Sequence, residues 1–178
     1  MWKYVALLLV FPVFLVSVTP IQAQNLDNRV YSLGVGDRLR VIVFGEDNLS
    51  GEFEIGSQGS INLPLIGDVL AEGGTIDELE DRVEARLAEG YLINPRVSIE
   101  VMNYRPFYIL GEVNVPGSYT YVNGMTVLNA VAMAGGFTYR ADEDDIQLSR
   151  PGSETALEVR LDTPLLPGDI IRVEERFF

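Results

Sequence analysis

The sequence predicts an α+β protein made of two small domains, and three observations carry that prediction. Short β-branched and alternating segments recur along the chain, bounded by Gly, Pro, Asn and Asp, as strands are. Two segments with helical spacing interrupt them, one opening at Thr75 and one at Thr126. The order strands, helix, strand is then followed by strands, helix, strands, with Asn103-Tyr104-Arg105-Pro106 as a junction between the two runs.

The elements follow in order. Ser32-Leu33-Gly34-Val35-Gly36-Asp37 reads as a turn, with two glycines free to take positive φ. Leu39-Arg40-Val41-Ile42-Val43-Phe44 reads as a strand, Glu46 to Gly51 as a loop, and Glu52-Phe53-Glu54-Ile55 as a half-buried strand by its alternation. Gly56 to Gly59 is a turn, and Ser60-Ile61-Asn62-Leu63 a short strand ended by Pro64. Thr75-Ile76-Asp77-Glu78 has the form of a capping box, in which the Thr hydroxyl and the Glu carboxylate each accept a backbone N–H at the helix start. Ile76, Leu79, Val83 and Leu87 then recur on one face, and Gly90 supplies the stop. Val97, Ile99 and Val101 alternate as a strand after the Asn94-Pro95 turn.

Past the junction, Phe107-Tyr108-Ile109-Leu110 reads as a strand, Pro116-Gly117 as a type II turn, and Ser118-Tyr119-Thr120-Tyr121 as the return strand. Thr126 caps a helix through Ala134 that Gly135-Gly136 ends. Asp142-Glu143-Asp144-Asp145 reads as a solvated acidic loop, since it lacks the spaced ligands and the turn glycine of a calcium loop. Strands are expected near Ile146–Ser149 and Leu157–Leu161, and again at Ile170-Ile171-Arg172-Val173 after the Pro167-Gly168-Asp169 turn. Gly36-Asp37-Arg38-Leu39-Arg40-Val41 resembles Gly168-Asp169-Ile170-Ile171-Arg172-Val173, a likeness that two good turn-to-strand sequences are enough to explain.

The first residues predict export. One positive charge at Lys3, an apolar run from Tyr4 to Val18 and a small residue at Ala23 form the three parts of a cleavable secretory signal over 1–23. The apolar run falls short of the roughly 20 residues a transmembrane helix needs, and Pro20 breaks it. The chain has no Cys, so neither disulfides nor a lipid-bearing Cys are expected. The formal net charge is −13 and Lys3 is the sole lysine, which argues against nucleic acid as a partner.

Catalytic patterns are sparse. Without His or Cys, Ser-His-Asp and Cys-His arrangements and the HExxH zinc site are excluded. Gly34-Val35-Gly36 precedes a strand and lacks the third glycine of a dinucleotide fingerprint, and no phosphate loop is present. A carboxylate pair of the glycosidase kind remains open, although solvated surface charge is the plainer reading of the acids. The sequence therefore predicts no enzyme, no cofactor and no metal. Apolar sugar faces stack on aromatic rings, which makes Tyr104, Tyr108, Tyr119 and Tyr121 candidate sugar contacts; the competing reading of aromatics on alternating strands is core or sheet face.

Two stretches resemble known families. Leu33-Gly34-Val35-Gly36-Asp37-Arg38-Leu39-Arg40-Val41, then Gly59-Ser60-Ile61-Asn62-Leu63-Pro64-Leu65-Ile66-Gly67-Asp68-Val69, Gly74-Thr75 and Asn94-Pro95-Arg96-Val97, resemble the polysaccharide export domain of outer-membrane polysaccharide exporters. Ile109 to Tyr119, Thr126-Val127-Leu128-Asn129-Ala130, Ala134-Gly135-Gly136 and Leu166 to Val173 resemble the SLBB domain, a soluble-ligand-binding β-grasp module. The resemblance implies an α/β export domain over 30–102 and a β-grasp-like SLBB domain over 107–173. It implies a periplasmic, non-enzymatic component of capsule or exopolysaccharide export that forms or extends a conduit toward the outer membrane. Its implied partners are polysaccharide, further copies of itself, an inner-membrane polysaccharide co-polymerase and a separate outer-membrane channel. The last follows from departures: well-known members are lipoproteins with more than one SLBB unit and a membrane-spanning terminal helix, whereas this sequence ends at Glu174-Glu175-Arg176-Phe177-Phe178. The alternative is a periplasmic glycan- or small-ligand-binding module acting through the SLBB domain.

Overall fold

The computed structural model describes residues 31–153 and 155–176; the expected signal segment and Phe177-Phe178 lie outside them. The architecture is α+β, with two cores on either side of the Tyr104–Pro106 linker.

The first core is built on a three-stranded sheet in the order β2-β1-β5, from β1 (Arg38–Val43), β2 (Gly51–Glu54) and β5 (Val97–Asn103). Leu39, Val41 and Val43 alternate inward from β1 and are buried, which is the two-residue period of a half-covered strand. Helix α1 (Ile76–Ala88) lays Leu79, Val83 and Leu87 on that core. Its start is the expected capping box: Glu78 N–H donates to Thr75 Oγ1 at 3.2 Å, and Thr75 N–H donates to the Glu78 carboxylate at 3.1 Å. The helix also covers an open sheet edge. Glu84 accepts from the backbone of Val97 at 2.9 Å and Glu80 from that of Ile99 at 2.6 Å, so β5 presents fewer bare donors to a foreign strand.

A two-stranded hairpin of β3 (Ser60–Leu63) and β4 (Gly67–Leu70) closes the same core with Ile61, Leu63 and Val69. The sequence reading ends this region at Pro64 and has no β4. The strand forms because Leu65 takes a left-handed conformation, φ 70°, which reverses the chain at once after the proline.

The second core lies under a five-stranded mixed sheet in the order β7-β6-β10-β8-β9, from β6 (Phe107–Gly111), β7 (Gly117–Tyr119), β8 (Ala141–Ser149), β9 (Leu157–Val159) and β10 (Ile170–Glu175). The last strand is central: it runs parallel to β6 and antiparallel to β8. Helix α2 (Val127–Met133) packs Val127, Ala130 and Val131 beneath it, with Phe107, Ile109, Ile146, Leu148, Ile171 and Val173 from the sheet.

Two expectations are corrected here. Asp142 to Asp145 belong to β8 rather than to a loop. Between the pairs Val173↔Ile146 and Glu175↔Ala141, β10 advances two residues while β8 advances five, so the acids bulge from the ladder on extended backbone. Pro116-Gly117 does not form a type II turn, because Gly117 lacks the positive φ which that turn requires; it opens β7 opposite Ile109 instead.

Candidate functional site

The only fully buried charged side chains among the described residues are Asp37 and Asp169. Each follows a glycine with positive φ, 89° at Gly36 and 85° at Gly168, and each precedes the central strand of its sheet. Both close the same turn. Asp37 N–H donates to the carbonyl of Gly34 at 3.1 Å while its Oδ2 accepts from Gly34 N–H at 2.7 Å; Asp169 N–H donates to the carbonyl of Leu166 at 3.1 Å while its Oδ2 accepts from Leu166 N–H at 2.8 Å. The likeness of the two Gly-Asp sequences is therefore a likeness of structure down to individual hydrogen bonds.

Each carboxylate also holds an arginine. Asp37 Oδ1 accepts from the backbone N–H of Arg105 at 2.9 Å, and its Oδ2 from Arg105 Nη1 at 3.0 Å. Tyr31 donates its hydroxyl to Asp37 and accepts from Arg105 Nη1 at 3.0 Å. Arg150 Nε stands 3.5 Å from Asp169 Oδ1, too poorly aligned for a hydrogen bond, and Arg150 Nη2 donates to the carbonyl of Pro164 at 3.2 Å. Burial raises the pKa of Asp169 from its ordinary 3.8, and the Leu166 N–H and Arg150 offset only part of that. Burial, then the hydrogen bond to Asp37, push the Tyr31 hydroxyl far above its usual range and keep it a donor.

Arg105 is the linker residue and lies across both turns. A Cβ on Gly34 would come within 2.3 Å of its Nη1, and one on Gly168 within 2.8 Å of its Nε. Gly34 is thus needed for space rather than for φ, contrary to the sequence reading. Beside the clamp lies a cleft of two lobes. One, about 420 Å³, is lined by Gly34, Glu72, Gly73, Gly152 and Gly168 among others; the second, about 300 Å³, by Tyr31, Arg150, Leu166, Pro167 and Asp169. Ser32, Arg105 and Pro151 line both.

The four candidate tyrosines are not brought together. Tyr104 meets Tyr31 edge-on at 5.0 Å and Tyr121 edge-on at 5.3 Å, an aromatic row that bridges the two cores. Tyr121 is buried and donates to the carbonyl of Leu165 at 3.1 Å. Tyr119 stacks on Phe107 at 5.8 Å and donates to the carbonyl of Val115 at 2.5 Å. Tyr108 stands exposed on the open face of the five-stranded sheet, beside Ile170. Asp37, Arg105, Arg150 and Asp169 were not singled out from sequence. The Gly-Asp likeness was the signal that pointed to two of them; nothing in sequence pointed to their arginine partners, which lie 68 and 19 residues away.

Comparison with known proteins agrees with this layout. Residues 25–102 match the family described as polysaccharide biosynthesis/export protein, and residues 106–160 match the SLBB domain. The chain is 38% identical over 124 residues to the exopolysaccharide production protein ExoF of Rhizobium meliloti (strain 1021), a match covering 63% of this chain and 29% of that protein. Among the described residues no helix is long and apolar enough to cross a membrane. With both domains matched in sequence order on either side of the Arg105 junction, the chain joins a polysaccharide export domain to an SLBB domain.

Proposed function

We propose that this protein is a periplasmic component of exopolysaccharide export that builds or extends the conduit toward the outer membrane, without catalysing a reaction. The observation that carries the reading is the pairing of an export domain with an SLBB domain through a buried Asp37–Arg105 clamp. Such a joint makes one stiff subunit of two domains, which suits a wall assembled from repeated copies. An acidic surface, at a net charge of −13, keeps an acidic polymer from adhering as it passes. In this reading further copies of the chain, an inner-membrane co-polymerase and a separate outer-membrane channel are its partners, and the growing polysaccharide is its cargo.

Deleting the gene is expected to remove polysaccharide from the cell surface while synthesis continues, with recovery on complementation. Unchanged surface polymer in the deletion strain would refute the reading. A second reading, a glycan-binding module acting through the SLBB domain, draws on Tyr108, the one candidate tyrosine whose ring faces solvent on an open sheet. A strict monomer that binds a free glycan through Tyr108 would favour it over the conduit.

A further inference from the structure

The arginines at the junction are paired on one side only. Arg105 uses Nη1 for Tyr31, Asp37 and the carbonyl of Ser32; among the described residues its Nε and Nη2 have no hydrogen-bond partner. Arg150 likewise keeps Nη1 without one. The carboxylates that balance them are fully buried, whereas the Arg105 and Arg150 side chains keep 19% and 18% of their surface in contact with solvent. The second lobe is therefore lined by both arginines together with Asp169, whose carboxylate is shut off from solvent. The other acid on the cleft wall, Glu72, carries its carboxylate against Gly59, which does not line either lobe. On a chain of net charge −13 this is a concave place where two cations and no exposed carboxylate meet the second lobe.

The remaining wall has a different character. Tyr31, Pro151, Leu166 and Pro167 give the second lobe apolar surface, Ser32 a hydroxyl, and the glycines of the first lobe let a ligand approach backbone. A guanidinium offers its donors in a planar fork that fits a carboxylate, and rings or prolines cover the apolar face of a pyranose. We propose that the cleft between the two domains is a binding site for a carboxylate-bearing sugar unit, with Arg105 and Arg150 holding the carboxylate and the proline-lined wall receiving the ring. The sugar class rests on the export reading; the anion preference rests on the geometry alone. In an otherwise repelling surface, the cleft is a local foothold for an acidic chain.

The test uses the purified exported chain and a glucuronic acid trimer, with a neutral glucose trimer, acetate and inorganic phosphate as comparison probes. Replacing either arginine would strip a buried carboxylate of its partner, so the informative variant is Ser32→Glu, which places a negative charge on both lobes from an exposed position and removes no member of either ion pair. Asn48→Asp, in the exposed β1–β2 loop, adds a negative charge elsewhere as a control. The uronate trimer is expected to bind, to shift the amide resonances of Ser32, Gly152 and Gly168, and to lose affinity with added salt. S32E should weaken binding about tenfold or more while N48D changes it less than about twofold, since a fixed like charge beside a bound anion acts at short range. Equal binding of the neutral trimer, an unaffected S32E, or acetate or phosphate matching the uronate trimer in affinity would each overturn the proposal. Loss of surface polymer on gene deletion without uronate binding removes this inference and leaves the export reading; uronate binding without an export defect does the reverse.

Discussion

Asp37 receives four donors from the protein itself: Gly34 N–H, Arg105 N–H, Arg105 Nη1 and the Tyr31 hydroxyl. Tyr31→Phe removes one of them and keeps the ring, so it is expected to cost about 1.5–3 kcal/mol in denaturant unfolding, the usual loss for a hydrogen bond to a charged acceptor. The pKa of Asp169 is raised by burial. Its folded form binds a proton more readily than its unfolded form, so stability falls as pH rises from about 4 through the raised pKa. Asp169→Asn cannot titrate there; the stability of the variant relative to the unmodified protein should improve as pH rises through that window, and denaturation at a series of pH values would measure it. A difference that stays flat with pH contradicts the assignment. At this scale the sequence was least legible. A Gly-Asp dipeptide announces a turn, but burial of its carboxylate depends on an arginine that only the fold brings near. Tyr104 and Tyr121 read as candidate sugar contacts or as core or sheet-face residues, and sequence does not show that Tyr31 completes their row.

Among the elements, those with a strong local code were legible. Helix α1 follows from its capping box and its Leu79, Val83, Leu87 face. Thr75→Ala should cost about 1 kcal/mol, visible as a lowered unfolding midpoint with an unchanged denaturant slope. Strand β3 was readable residue for residue, but β4 was not, because its existence depends on a leucine accepting the left-handed region. Leu65 is more than half exposed, so little packing is lost on replacing it. Leu65→Gly should therefore stabilise the protein by up to about 1 kcal/mol, by relieving the cost a Cβ carries at positive φ. A destabilised L65G would mean that the leucine makes contacts which outweigh the strain. Strand β8 hid behind its acids: Asp142 to Asp145 look like solvent-exposed loop, yet Ala141 and Ile146 anchor the segment at both ends.

At the scale of the molecule, two cores share one joint, and the joint sets whether they behave as one unit. Asp37→Asn removes the charge that holds the linker arginine, a change expected to cost about 3 kcal/mol by analogy with broken buried ion pairs. It should also split a single calorimetric transition into two, one for each core; a variant that still melts in one step would show that other contacts hold the domains together. The two-domain α+β plan was legible in sequence, since alternation, helix caps and the Pro106 junction are local signals. The joint was not, because it is made of contacts across the linker. The central place of β10 in the second sheet has a consequence in time. The first core is complete once Asn103 has been made, whereas the second lacks its middle strand until Ile170 to Glu175 appear. As the chain emerges from its N-terminus, the first domain can close alone while the second waits for its middle strand, and the Gly168-Asp169 turn reaches Arg105 later than the first core does. The Gly168 turn therefore closes on an Arg105 that the first domain has already placed against Asp37.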